Sequence, residues 1–288
     1  LSDPSAVFKL EWMGGAAEHH YRRARKSVDD LPWDTLDVRR YPPALVAASR
    51  RVWTNVALSE YAAVVQFSEV VAALARARAP LDLIGMTSDF VADEVRHVEL
   101  ASRMTMQLGG AAPLPFDASR LSLSPAPQLS PLQKANELAL RVGTIGEGFA
   151  GGTASRLMEA TRHPLVREVY AQILRDEARH LRFGGLYFDW AKSRMDDAER
   201  SRLSDVALRT LKSYAGLWQT AREAPARVAE TQRAEDYQEL GWLDAERYDP
   251  LAISVVRDEL VPTLRALGLH IPDCEVDALA PPPPDRTL

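Results

Sequence analysis

From about residue 44 to residue 78, Ala, Val and Leu recur at intervals of three and four with no Gly or Pro between them, which predicts one long helix. A second periodic stretch covers 81–108 and stops at Gly109-Gly110, a plausible helix end. A third runs over 131–162, opened by Ser130-Pro131 as N-cap and first helical residue, and a fourth over 164–195 after His163-Pro164. Residues 111–130 carry Pro113, Pro115, Pro125, Pro127 and several serines, and read as a long connection between the second and third helices. Two more helical stretches follow at 197–220 and 250–268, the latter interrupted at Pro262. The plan is therefore an irregular arm with one short helix over 1–43, a four-helix bundle over 44–195, accessory helices over 196–280 and a proline-rich disordered tail over 281–288.

Composition narrows the class. With 288 residues and 46% hydrophobic positions, the chain can bury the core of one large all-α domain. A net charge of -5 gives no reason to expect nucleic acid as a partner. The single cysteine, Cys274, excludes an internal disulfide framework and fits a reducing compartment. There is no run of 18 apolar residues and no basic-then-apolar N-terminal signal, so the expectation is a cytoplasmic protein without a membrane partner.

The chemistry is carried by a phrase that occurs twice, Asp93-Glu94-Val95-Arg96-His97 and Asp176-Glu177-Ala178-Arg179-His180. Residues three apart on a helix share a face, so each copy projects a carboxylate and an imidazole together, half of a dinuclear metal site in a four-helix bundle. The partner helices supply Glu60 and Glu147. Two antiparallel helices place residues at equal height when they stand equally far from the turn. For Glu60 and Glu94/His97 that midpoint falls just before Pro80, and for Glu147 and Glu177/His180 at His163-Pro164. Glu69 lies ~13 Å of helix rise from Glu60 and is set aside as a ligand. Four carboxylates neutralise two divalent cations, and hard oxygen with borderline nitrogen suits iron, as two Fe or as a Mn/Fe pair.

Asp93 and Asp176 are candidates to accept the remaining ring N–H of a ligand histidine, with Arg96 and Arg179 balancing them; the alternative is four solvated surface charges. Gly143, Gly146, Gly148, Gly151 and Gly152 crowd around Glu147, each unfavourable in a helix by roughly 1 kcal/mol relative to Ala. One reading is space beside the metals, formed by Gly143, Ala150 and Gly151 with Thr144, Val64, Phe67, Phe90 and Ile173 as walls. The other is close helix packing or a local π-bulge. Tyr61 and Tyr170 are read as packing residues, and His19, His20, His163 and His270 are not assigned to metal.

On these residues, positions 44–195 resemble the ferritin-like carboxylate-bridged dimetal superfamily, whose six ligand positions match Glu60, Glu94, His97, Glu147, Glu177 and His180. The Asp-Glu-x-Arg-His form resembles that of bacterial di-iron monooxygenase hydroxylases and related oxygenases. The stretch Leu58 to Ala101 is also similar to a group of bacterial ferritin-like proteins. Two positions depart from specialised members. Gly151 stands where multicomponent monooxygenases often place a threonine, and Ile173 where arylamine N-oxygenases bring an extra histidine. The resemblance implies a non-haem di-iron oxygenase or oxidase that uses O2 to hydroxylate, desaturate or N-oxidise a small organic substrate. It implies an electron donor such as a ferredoxin or reductase, and pairing of two chains through an outer helix face is a further expectation. The alternative is a ferroxidase or rubrerythrin-like peroxidase without an organic substrate.

Overall fold

A computed structural model describes residues 6–24, 28–223 and 234–279. Its helices are α1 (Gly15–Ala24), α2 (Pro43–Arg76), α3 (Leu81–Gln107), α4 (Pro131–Leu138), α5 (Glu147–Ala160), α6 (Pro164–Ala191), α7 (Asp197–Glu223), α8 (Ala234–Glu239), α9 (Ala245–Val255), α10 (Val261–Ala266) and α11 (Asp273–Asp277). Among the described residues extended pairing is confined to an isolated bridge, Val7 to Pro115. The fold is the expected all-α ferritin-like bundle: α2 pairs with α3, α5 with α6, and the hairpins meet through α2 with α4 and α3 with α6. The disordered tail expected over 281–288 lies outside the described residues.

The long connection crosses over α2. Arg50 donates to the carbonyls of Gly110 and Ala111, Thr54 Oγ1 accepts from Ala112 N, and Tyr61 packs edge-on against Phe116. Further along, Glu69 accepts from Ser122 Oγ at 2.5 Å and from Leu123 N at 3.1 Å. The carboxylate rejected as a ligand thus anchors the crossover. At its end Ser130 and Gln133 form a reciprocal capping box that starts α4.

The third helix, expected over 131–162, contains the local π-bulge that its glycines left open as an alternative. Ala139–Gly146 is a π segment, and α-geometry resumes at Glu147. Gly143 lies inside it, where an added Cβ would come 2.4 Å from the ring of the fully buried Phe183. The Thr144 hydroxyl donates to the Ala139 carbonyl five residues back. The wide turn thus forms where the backbone presses on α6, and it sets the rotation at which Glu147 emerges.

Two apolar clusters flank the middle of the bundle. One gathers Phe67, Phe90, Phe183 and Tyr187 with Leu203, Val255, Leu260 and Leu264 of the C-terminal helices; the other gathers Trp53, Leu100, Met104 and Tyr170 with Phe8 and Trp242. On each long helix the two clusters bracket a candidate ligand, as Ala57 and Phe67 bracket Glu60 on α2. The last C-terminal stretch begins earlier than expected, at Ala245 after the N-cap Asp244, and its interruption is a second π segment, Val256–Leu260, just before Pro262. By length and composition α2 could cross a membrane, but it buries Leu45, Trp53, Phe67 and Leu74 as a core helix.

Candidate metal centre

Glu60, Glu94, His97, Glu147, Glu177 and His180 converge at mid-height. Donor atoms of Glu94, Glu147, Glu177 and His180 lie within 4.8 Å of one another, as do those of Glu60, Glu94 and His97. Glu94 belongs to both groups. His180 Nδ1 stands 2.9 Å from Glu147 Oε2, 3.2 Å from Glu94 Oε1 and 3.4 Å from Glu177 Oε2. His97 Nδ1 stands 3.4 Å from Glu177 Oε1 and 3.6 Å from both Glu60 Oε2 and Glu94 Oε2. Glu94 and Glu177 therefore each turn one oxygen toward each imidazole, so that either carboxylate could serve a cation held beside each ring.

The far side of each ring meets an aspartate, and the pairing is crossed. His180 Nε2 of α6 is 3.3 Å from Asp93 of α3, and His97 Nε2 of α3 is 3.6 Å from Asp176 of α6. Arg179 donates to Asp93 at 2.9 Å, while the buried Arg96 pairs with Asp176 and Gln172. Each repeat thus orients the histidine of the other, a relation that lies in the α3–α6 rotation rather than in either motif. Each Nδ1 faces the carboxylates and, with its proton lost, could ligate a cation there.

The cage fits divalent cations. Both oxygens of Glu94, Glu177 Oε2 and His97 Nδ1 are buried without a hydrogen-bond partner, an arrangement that four acidic groups tolerate only when cations or protons neutralise them. Without cations protons take that place. Burial, aided by the neighbouring Glu147 carboxylate, pushes Glu177 up to about 8, and burial raises Glu147 as well against the hydrogen bond from His180. For both imidazoles burial favours the neutral ring, but the surrounding carboxylates outweigh it and hold them well above the usual histidine range: Asp176, Glu60 and Glu94 around His97, Asp93 and Glu147 first around His180.

The expected pocket residues separate into three groups. Phe67 and Phe90 wall the cage, with ring centroids 5.6 and 4.1 Å from that of His180. Gly143 and Gly151 do not leave room beside the metals: Phe183 fills the first site, and Leu181, 3.3 Å from an added Cβ, borders the second. Thr144 packs on Gly184, and Ile173 is buried in the Trp53 cluster one turn before Glu177. Val64 is half-buried and Ala150 is exposed. The remaining glycines serve packing: added Cβ atoms would meet Leu260 at 2.4 Å from Gly148 and Val255 at 2.7 Å from Gly152. This is the close-packing alternative read from the sequence, which could not name the partners because they lie more than 100 residues away.

Fold and cage together define a ferritin-like dimetal protein. The family model described as P-aminobenzoate N-oxygenase AurF matches residues 82–238, from α3 through α8, and the chain belongs to that family. It is accordingly an oxidoreductase of the di-iron oxygenase and oxidase class, which uses O2 and a substrate. Among solved structures, a protein from Synechococcus described as protein 19 with aldehyde deformylating oxidase activity is 17% identical and superposes with a TM-score of 0.55 over 85% of this chain and 98% of that one. That likeness shows the fold. No curated protein matches the sequence. Glu60 lies outside the family match, and its place in the cage comes from the geometry alone.

Proposed function

We propose that Glu60, Glu94, His97, Glu147, Glu177 and His180 hold two iron ions, and that the protein catalyses O2-dependent oxidation of a small organic substrate, N-oxygenation of an amine foremost. The observation that carries this is the set of buried, unpartnered oxygens, both of Glu94 and Oε2 of Glu177, directed at two imidazoles. Oxygen and imidazole donors suit iron or a Mn/Fe pair, and the family's description names an N-oxygenase. When bound, the metals supply reductive activation of dioxygen.

The chain's own residues do the rest. Asp93 holds the Nε2 proton of His180, and Asp176 stands 3.6 Å from Nε2 of His97, so that each Nδ1 is directed inward. Phe67 and Phe90 exclude water from the imidazole side of the cage. Reducing equivalents come from a separate ferredoxin or reductase, in a cytoplasmic setting, and two chains pair through an outer helix face. The test is metal analysis of anaerobically purified protein, then absorption spectroscopy as the ferrous form meets O2 with and without an aromatic amine. About two irons per chain, a transient absorbing species and an oxidised amine are expected. Rapid iron oxidation or peroxide consumption with no amine product would reassign the protein to metal or peroxide handling.

A further inference from the structure

We propose that α2 and α5 part at the height of the metals, and that this window admits an uncharged small organic substrate to the cage. The inference rests on the dimetal reading above and adds where the substrate enters and what charge it carries. α2 runs close against α4 and the π segment, whereas α5 packs on α6 and α9. The separation is visible in the ligands: the Glu60 side chain is 19% exposed, against 1% for Glu94, 6% for Glu177 and 8% for Glu147. None of residues 61–66 is buried, although Trp53 and Ala57 below and Phe67 and Val70 above are.

On α5 the other flanks are taken. Gly151 faces Leu181 of α6, Gly148 and Gly152 face Leu260 and Val255, and Phe149 lies on Tyr214 of α7. Helical geometry leaves Ala150, one turn after Glu147, on the flank toward α2, and Ala150 is exposed. Further along, Leu157 and Met158 pack into the Trp53 cluster, so the gap is closed below the metals.

By register, Val64 borders the window from α2, Ala150 borders it from α5, and Glu60 is the carboxylate at its floor. The arginines of the third helix are committed elsewhere: Arg141 to Glu137 and the Leu123 carbonyl, Arg156 to Glu259 and the Gly152 carbonyl. An anionic substrate would lose its hydration between apolar sides with these arginines already engaged, whereas a neutral amine meets no such penalty.

The test uses cobaltous ion on metal-free protein. Ala150→Trp is expected to slow loading about tenfold while reaching the same end point, with Ala178→Trp on the exposed outer face of α6 loading at the wild-type rate. Equal rates for the two variants would overturn the window. Should the tryptophan variant fail to fold, Ala150→Cys in a Cys274→Ser background, labelled with a bulky maleimide, applies the same criterion. On the cobalt-loaded protein, aniline is expected to perturb the visible bands at a concentration about tenfold lower than 4-aminobenzoate. Equal or tighter binding of 4-aminobenzoate would overturn the claim about charge. Failure of the wild-type protein to take up cobalt at all would instead remove the dimetal reading, and this proposal with it.

Discussion

The hairpin of α2 and α3 and the hairpin of the third helix and α6 offer the same ligands, a lone glutamate opposite a Glu-x-x-His, yet they are built differently. In the first, both helices are regular, and Glu60 reaches the cage from a stretch of α2, 60–66, in which no residue is fully buried. In the second, a π segment precedes Glu147, and glycines at 143, 148 and 152 bring α6, α9 and Leu260 against the helix. The accessory helices pack on this second hairpin, and their side chains occupy the space the glycines vacate. A duplicated motif has thus been placed in two environments, one closed by added helices and one left open, and the glycine cluster marks the closed side.

Removing ligands should give the largest effect. Glu94→Ala takes an oxygen from each imidazole partner and is expected to abolish binding of both ions, whereas Glu60→Ala should leave about one ion per chain. Metal analysis decides it, and equal losses in the two variants would remove the distinction between a bridging and a terminal carboxylate. Next come the glycines. Gly143→Ala drives a methyl into Phe183 and should destabilise the fold by about 1–3 kcal/mol, while Gly85→Ala on α3, where an added Cβ meets nothing within 4 Å, should stabilise it by roughly 0.5–1 kcal/mol. Opposite shifts in melting temperature are the expected outcome, and shifts of the same sign would show that the hairpins tolerate side chains alike.

The crossed aspartates give a third comparison. Asp176→Asn, whose partners are the buried His97 and Arg96, should weaken metal binding by about 10–100-fold. Arg179→Ala should change stability by less than about 1 kcal/mol, since that guanidinium is half-exposed. Competition with a chelator reads the first and denaturant titration the second.

The smallest effect concerns acid stability at the junction with α7. Burial would raise the Glu199 carboxyl, but Arg202, Asn136 and Gln133 together hold it below the usual range. A depressed carboxylate contributes stability that is fully present above its unfolded pKa, so this contribution begins to fall below about pH 4.3 and is lost as pH drops through the lower folded value. Glu199→Gln should flatten the pH dependence of stability in that window, and an unchanged slope would remove Glu199 from the account.

What the sequence determined by itself is what lies along one helix or within one turn. The Glu-x-x-His spacing, the turns before Pro80 and at His163-Pro164, the Ser130 cap and the matching heights of the lone glutamates all follow from rise per residue and local backbone chemistry. The tertiary structure decided whatever depends on how helices are rotated and what covers them. Asp93 serves the histidine of the other motif, Glu69 ties down the crossover, and Gly143 faces a phenylalanine instead of open space. No local pattern encodes these relations, because each is fixed by packing between residues dozens of positions apart, where side-chain volume and burial, rather than periodicity, set which partner is met.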